Sequence, residues 1–291
     1  MKAAEWQDYT VIATGNGYKL ERWGSVTLLR SDPQVIWDGA ADLDGYKGLS
    51  AKYIRSETGG GKWIKKSAFP DEWTVSYKDL KFKVKPMGFK HTGLFPEQAV
   101  NWDIMRDLIK NADREINVLN LFAYTGGATC ACLKEGARVC HVDSAKAMVE
   151  RAKENVMLSS VKEPKVRFIV DDCKKFVERE IRRGKFYDAI IMDPPSYGRG
   201  PNGETWKLED ELFSLVKTCL KVLSEKPLFF LINSYTTGLQ PQVIKNILTA
   251  TVKKAKGGFV TAYEVGLKTQ EDGIILPCGN SGLWTDTEIK E

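Results

Sequence analysis

Asn120-Leu121-Phe122-Ala123-Tyr124-Thr125-Gly126-Gly127-Ala128 starts as a short apolar run and ends on a glycine pair where a helix can open. A run this short, stopped by glycines, reads as a buried strand. The glycine pair lets a ligand approach the backbone where a side chain would collide. The helix start behind it offers free N–H groups. The stretch is neither GxGxxG nor GxxxxGK[ST], and a glycine turn between strand and helix is common. Its weight comes from what surrounds it.

On both sides the same grammar repeats. A helix is predicted near Pro96–Ala112, then strand Val118–Ala123, helix Thr129–Glu135 closed by Gly136, and strand Arg138–Val142. Helix Ala145–Leu158 follows, with Met148, Val149, Ala152 and Val156 on one face. Strand Val166–Val170, helix Cys173–Arg183 and strand Tyr187–Met192 come next. Helix Glu209–Leu223, strand Leu228–Ile232 and helix Pro241–Thr251 continue the alternation, and strands near Phe259–Gly266 and Gly273–Pro277 can pair as a hairpin. Such alternation predicts an α/β domain with a mainly parallel sheet. Ligands of such sheets bind beyond the carboxyl ends of the strands.

Chemistry-bearing residues fall at those ends. The second strand closes on Asp143-Ser144, 16 residues after Gly127. An acid there can accept hydrogen bonds from two ribose hydroxyls; it can equally cap the helix at Ala145. The third strand closes on Asp171-Asp172-Cys173. A carboxylate there can accept from an adenine amine and the next backbone N–H can bond the ring nitrogen, with a helix cap again the plain alternative. The fourth closes on Asp193-Pro194-Pro195-Ser196-Tyr197-Gly198. Two prolines fix the backbone and leave carbonyls without local partners, free to face a substrate's polar edge. In this order the features specify a nucleoside cofactor lying across the sheet.

Upstream, residues 1–88 read differently. Short β-branched and aromatic runs (Tyr9–Thr14, Ser25–Leu29, Val35–Trp37, Trp73–Tyr77, Lys81–Lys85) are separated by Gly15-Asn16-Gly17 and Ser31-Asp32-Pro33. This spacing predicts antiparallel hairpins. Net charge is +5 overall, and residues 1–90 hold 15 Lys/Arg against 11 Asp/Glu. Gly59-Gly60-Gly61-Lys62-Trp63-Ile64-Lys65-Lys66 mixes glycines with lysines and a tryptophan, a composition suited to phosphates and bases. Lys62 and Lys65 are the candidate phosphate contacts. Lys81-Phe82-Lys83-Val84-Lys85, by contrast, is also what a half-exposed strand looks like.

The 291 residues fit one large or two modest domains. An apolar fraction of 43% and a charged fraction of 28% exclude disorder and coiled coil. No apolar run approaches the roughly 20 residues of a membrane helix. The acidic start MKAAEWQDYT lacks the apolar core of a secretory signal, so the expected compartment is the cytoplasm. Six cysteines without CxxC spacing and two histidines, His91 and His141, make a metal site unexpected; the cysteines read as small buried apolar residues.

The series of strand ends resembles the class I S-adenosylmethionine-dependent methyltransferases over roughly residues 89–291. More narrowly, Phe89-Lys90-His91-Thr92-Gly93-Leu94-Phe95-Pro96-Glu97-Gln98, Phe122–Gly127 and Asp193-Pro194-Pro195 are similar to the bacterial family that contains the large-subunit ribosomal RNA methyltransferases. The resemblance implies a Rossmann-like seven-strand sheet with an antiparallel last strand (residues 89–291), preceded by a smaller β-rich substrate-binding domain (residues 1–88). It implies S-adenosylmethionine as cofactor, with Phe122, Ala123, Tyr124, Thr125, Gly126 and Gly127 around its methionine part. Asp143 and Ser144 would lie at its ribose and Asp172 and Cys173 at its adenine, while Lys90, Phe95 and Gln98 would help to close the site. Ribosomal RNA is the implied acceptor.

Methyl transfer from a sulfonium is an in-line displacement, so the protein supplies alignment and water exclusion. Asp193 and the Pro194 carbonyl are expected to orient the acceptor, Asp193 to take any proton it carries, and Tyr197 or Tyr235 to flank a base. Methylation of cytosine at carbon 5 needs a thiolate after strand five, and Ile232-Asn233-Ser234-Tyr235-Thr236-Thr237-Gly238 has none. A protein or small-molecule methyltransferase, a non-catalytic RNA binder on the same fold and a nicotinamide-dependent dehydrogenase are the competing readings; the missing GxGxxG counts against the last. A homo-oligomer stays open.

Overall fold

A computed structural model describes residues 1–39, 42–56, 60–88, 90–199, 205–271 and 273–289. Gly59 and Phe89 lie outside the described residues. The chain divides into two compact units, Met1–Val100 with Val265–Cys278, and Asn101–Glu264 with Gly279–Glu291.

The first unit holds a five-stranded sheet in the order β1 (Tyr9–Gly15), β2 (Tyr18–Trp23), β3 (Val26–Ser31), β4 (Ala51–Arg55), β5 (Gly61–Lys65). A separate ladder joins β6 (Trp73–Tyr77) to β7 (Leu80–Val84). The β1–β2 hairpin turns on Asn16 and Gly17, at φ 54° and 80°. That is the primed turn whose twist matches the strands, and Asn and Gly tolerate it. Two sequence expectations need correction. Val35–Trp37 is not a strand: Asp32 Oδ1 accepts from Gln34 N, and Val35 N donates to Asp32 O, so an Asx turn takes up this backbone. The connections are not all hairpins, because β3 pairs parallel with β4. Within the glycine–lysine run, Gly61–Lys65 forms β5. In β7 Leu80, Phe82 and Val84 are buried and Lys81 is exposed, the plain half-exposed strand.

The β2 strand escaped the pattern because its buried positions include a charge. Glu21 is completely buried. It accepts from Tyr9 Oη at 2.5 Å and from Arg30 Nε and Nη2 at 2.5 and 2.8 Å. Burial pushes its carboxyl upward, but Arg30 and Lys19, with the hydrogen bonds of Arg30 and Tyr9, outweigh that and hold it at about 2. Arg30 is itself pinned through Nη1 to the Lys90 carbonyl at 2.8 Å.

A short 3-10 turn, Pro96–Gln98, in the first unit leads into α1 (Ala99–Lys110). Then come β8 (Asn117–Leu121), α2 (Gly127–Lys134), β9 (Arg138–Asp143), α3 (Lys146–Leu158), β10 (Val166–Val170), α4 (Cys173–Arg182) and β11 (Ala189–Met192). A small hairpin, β12 (Tyr197–Arg199) with β13 (Thr205–Lys207), precedes α5 (Leu208–Cys219), β14 (Phe229–Ser234) and α6 (Pro241–Leu248). β15 (Phe259–Lys268) and β16 (Ile275–Thr285) end the sheet. Its order is β10-β9-β8-β11-β14-β16-β15, parallel from β10 to β14 and antiparallel between β14 and β16. The chain winds outward from β8 through β9 to β10, then returns to β11 on the other side. The switch in direction opens a crevice at the carboxyl ends of β8 and β11.

The strands are apolar on both faces because helices cover both. Leu119, Leu121, Val142, Ile190, Met192, Phe230 and Ile232 pack with Phe176 and Val177 of α4 and Leu212, Leu215 and Val216 of α5. Each large side chain contributes roughly 1.5–3 kcal/mol on burial. On the opposite face of the sheet, toward α2, Asn120 Nδ2 donates to Thr129 Oγ1 at 3.0 Å, which meets His141 Nδ1 at 2.9 Å. All three are buried. Burial drives the His141 pKa down to about 4. All six cysteines are free, and burial pushes Cys130 up to about 12 and Cys140 to about 11. No described helix is long and apolar enough to cross a membrane.

Two stability predictions concern these buried titratable groups. Arg30→Met should cost about 3–5 kcal/mol, since it strands the Glu21 carboxylate, while Glu21→Gln with Arg30→Met should cost less. Urea denaturation of the three proteins checks this, and a single-variant loss below about 1 kcal/mol contradicts it. His141 has a folded pKa of about 4 against an ordinary 6.5, so between these values the unfolded chain binds more protons. Stability should therefore fall as pH drops from 6.5 toward 4. His141→Gln should flatten that slope by up to about 1.4 kcal/mol per pH unit in denaturation curves; an unchanged slope refutes the assignment.

Candidate functional site

At the carboxyl end of β8 the backbone folds back on itself. Phe122, Tyr124 and Gly126 take φ values of 54°, 50° and 83°. For the two aromatic residues this costs on the order of 1–3 kcal/mol each and persists only where the surroundings enforce it. Here they do. Phe122 N donates to Cys173 Sγ at 3.2 Å, Ala123 N to Val142 O at 3.1 Å and Tyr124 N to Asp143 Oδ2 at 2.8 Å. The Thr125 carbonyl accepts from Asn155 Nδ2 of α3 at 2.8 Å. The loop Phe122–Gly127 is thus fastened to β9, α3 and α4.

Packing gives the glycine pair a reason of its own. A Cβ on Gly126 would lie 2.9 Å from Ala152 Cβ, and one on Gly127 2.5 Å from the Trp102 ring. Packing and the left-handed φ of Gly126 account for both glycines without a ligand.

The two acids of β9 and β10 part company. Asp143 is not a helix cap: α3 is capped by Ala145, with no side-chain bond. Its Oδ2 takes the Tyr124 N–H and its Oδ1 the Ala145 N–H at 2.9 Å. A carboxylate has about four acceptor sites, so about two remain. Asp172 is the cap of α4, with Oδ1 accepting from Lys175 N at 2.8 Å. Cys173 follows with a buried thiol pushed well above its usual range by burial. Ser144 is exposed between β9 and α3.

At the end of β11, Met192 pairs with Leu121 on one side and Ile232 on the other. Asp193 is half-buried and Pro194 buried beyond it. The expectation of free proline carbonyls fails for Pro195, whose carbonyl accepts from Trp206 Nε1 at 2.7 Å. Ser196 is held too: its hydroxyl accepts from Thr236 Oγ1 at 2.7 Å and its carbonyl from Leu208 N at 3.1 Å. Tyr197 is 52% exposed at the start of the β12–β13 hairpin. The Trp206 ring also lies 5.9 Å from Phe122, which ties the DPP turn to the β8 loop. Tyr235, half-buried after β14, packs on Gly279, where a Cβ would come within 3.0 Å of its ring.

Sequence reasoning missed Trp206 and Thr236, because both act through backbone or hydroxyl groups of residues distant in the chain. It also missed a buried cluster around Asn233, whose Oδ1 accepts from Asn101 Nδ2 at 3.0 Å and Ser281 Oγ at 2.9 Å. Tyr263 Oη donates to Asn101 Oδ1 at 2.7 Å. Lys90, Phe95 and Gln98 belong to the first unit. There Lys90 Nζ donates to Ser31 O at 3.3 Å, Phe95 precedes the Pro96–Gln98 turn and Gln98 is buried.

The donor set suits an adenosyl sulfonium. Asp143 keeps acceptor capacity for two hydroxyl donors. α2 and α3 begin beside it without side-chain caps, so their first N–H groups can meet an anionic carboxylate. No described group of three or more His, Cys, Asp and Glu is arranged to hold a metal.

Comparison with known proteins agrees. The profile of an S-adenosylmethionine-dependent methyltransferase family matches residues 39–220. The crystal structure of a SAM-dependent methyltransferase from Agrobacterium tumefaciens is 32% identical, covers 98% of this chain and 92% of its own, and superposes with a TM-score of 0.91. SMU.776, solved in complex with SAH, shares the fold at a TM-score of 0.74 and 17% identity, covering 97% of this chain and 76% of its own. The ribosomal RNA large subunit methyltransferase K/L of Pseudoalteromonas atlantica is 34% identical over 145 residues, 49% of this chain and 20% of that protein. The chain spans only 20% to 35% of the length of the first curated relatives it matches. With the strand-end geometry and the profile in agreement, the chain belongs to the S-adenosylmethionine-dependent methyltransferase family.

Proposed function

We propose that the protein transfers a methyl group from S-adenosylmethionine to a base of RNA, ribosomal RNA being the favoured acceptor. The observation that carries the cofactor half is Asp143, a carboxylate fixed by two backbone amides with acceptor capacity to spare. The RNA half is supported by the ribosomal RNA methyltransferases among the relatives. On this reading Asp143 and Ser144 hold the ribose. Asp172 accepts from the adenine amine with its second oxygen, and the Cys173 N–H meets the ring. Phe122, Ala123, Tyr124, Thr125, Gly126 and Gly127 surround the methionine part, and Lys90, Phe95 and Gln98 contribute from the segment before α1. Residues 1–88 serve as the substrate-binding domain and 89–291 as the transferase domain.

The bound cofactor supplies an already activated methyl group. The chain's task is alignment and exclusion of water. The turn Asp193-Pro194-Pro195 is braced by Trp206 and Thr236, so Asp193 and the Pro194 carbonyl stay fixed where an acceptor's polar edge can meet them. If the acceptor atom carries a proton, Asp193 receives it. Tyr197 and Tyr235 flank the base.

Asp193→Ala should lower methyl transfer to RNA taken from cells lacking the gene by roughly 100-fold or more, as loss of a positioned acid–base group does. Mass spectrometry of the treated RNA's nucleosides provides the readout and names the product. Full transfer by Asp193→Ala removes Asp193 from the role, and no methylated nucleoside with the wild type overturns RNA as the acceptor.

A further inference from the structure

The first unit contains a cavity of about 700 Å³, and Lys90 is the one described lining residue that the proposed chemistry uses. One wall comes from the β4–β5 ladder, where Tyr53 pairs with Trp63 and Arg55 with Gly61. Alternation puts these four on one face and Ile54 with Lys62 on the other. Gly61 makes room for the wall, since a Cβ there would lie 2.6 Å from the Tyr53 ring. Trp63 steadies that ring edge-on at 5.4 Å.

The opposite wall is the turn after β3. Asp32 is the one carboxylate among the described lining residues, and Lys19 Nζ holds it at 3.1 Å. With Arg55 and Lys90 also present, the lining is cationic. Ile36 lines the same cavity at 90% exposure, beside a fully packed Val35, which is unusual for an isoleucine. Lys90 is half-buried, and desolvation lowers its pKa, a cost that an anion beside it would offset. Next to it His91 is neutral at pH 7, held at about 4 by burial and by the charges of Arg30, Lys90 and Lys19. A neutral imidazole has one donor and one acceptor, the complement of a base edge.

We infer that this cavity receives one nucleotide of single-stranded RNA, its phosphate on Arg55, its base against Ile36, and a base edge on His91. The inference rests on the RNA reading above and gives it a recognition site in the first unit. A cation beside exposed apolar surface and a hydrogen-bonding imidazole suits a nucleotide of a single strand, and the volume lies within the range of small-ligand pockets.

The test is equilibrium binding of a short labelled single-stranded RNA at several KCl concentrations, to the wild type and to Arg55→Gln with Ile36→Asp. The variant should bind roughly tenfold more weakly, with a salt slope smaller by about 0.7. AMP, GMP, CMP or UMP should displace RNA from the wild type but not from the variant, and inorganic phosphate alone should not. S-adenosylmethionine binding should be equal in both, showing that the variant folds. If the wild type binds RNA and the variant matches it in affinity and salt slope, the cavity is not the site. Displacement by inorganic phosphate as strong as by nucleotides makes it a phosphate site and also overturns the inference. A wild type that binds neither RNA nor nucleotides overturns the RNA reading itself, and this inference with it.

Discussion

The carboxylate of Asp143 and the two amides it receives are the constraint from which the rest of the site follows. One oxygen fixes Tyr124 in a left-handed conformation and the other fixes the entry to α3. Hydrogen bonds to a charged group are worth about 1.5–3 kcal/mol each, the same order as the strain they offset. Asn155 and Cys173 add two more ties, so the loop is set before any ligand arrives. A preformed loop leaves less ordering to be done on binding.

That arrangement is available only because of where the sheet changes direction. β8 has β9 on one side and β11 on the other, so the loops after β8 and β11 diverge and leave space between them. The core beneath is apolar and close-packed, and it holds the strand ends at fixed spacing. Trp206 then spans from the Pro195 carbonyl to Phe122, and the Asn101–Asn233–Ser281 cluster braces the next strand along. Buried polar clusters of this kind fix one geometry, since each broken bond leaves an unpaired group in a low dielectric.

Much of the second unit was legible in the sequence. Apolar runs of four to six residues alternating with amphipathic segments give the element order, and β10 at Val166–Val170 agrees to the residue. β16 was cut short, because Cys278, Gly279, Asn280, Ser281 and Gly282 carry no strand pattern, yet the last three pair along β14 and Ser281 joins the polar cluster. The first unit was harder. β2 buries Glu21, which a hydrophobic period cannot reveal, and β4 and β5 are five-residue strands rich in lysine and arginine. In the site, single residues at strand ends such as Asp143 and Asp193 could be picked out by position. The roles of Gly126 and Gly127 could not, since Ala152 and Trp102 fill the space beside them. Nor could Trp206, whose partner is a carbonyl.

The account stands on a sugar diol being held by Asp143. Calorimetric titration of S-adenosylmethionine into the wild type and Asp143→Asn tests it most directly, with the unliganded melting temperature of each as the check on folding. The account predicts one site in the wild type and at least about tenfold weaker binding in a folded variant, the loss of one charge-assisted bond. Equal affinity in the two proteins, or no binding by the wild type, would contradict it.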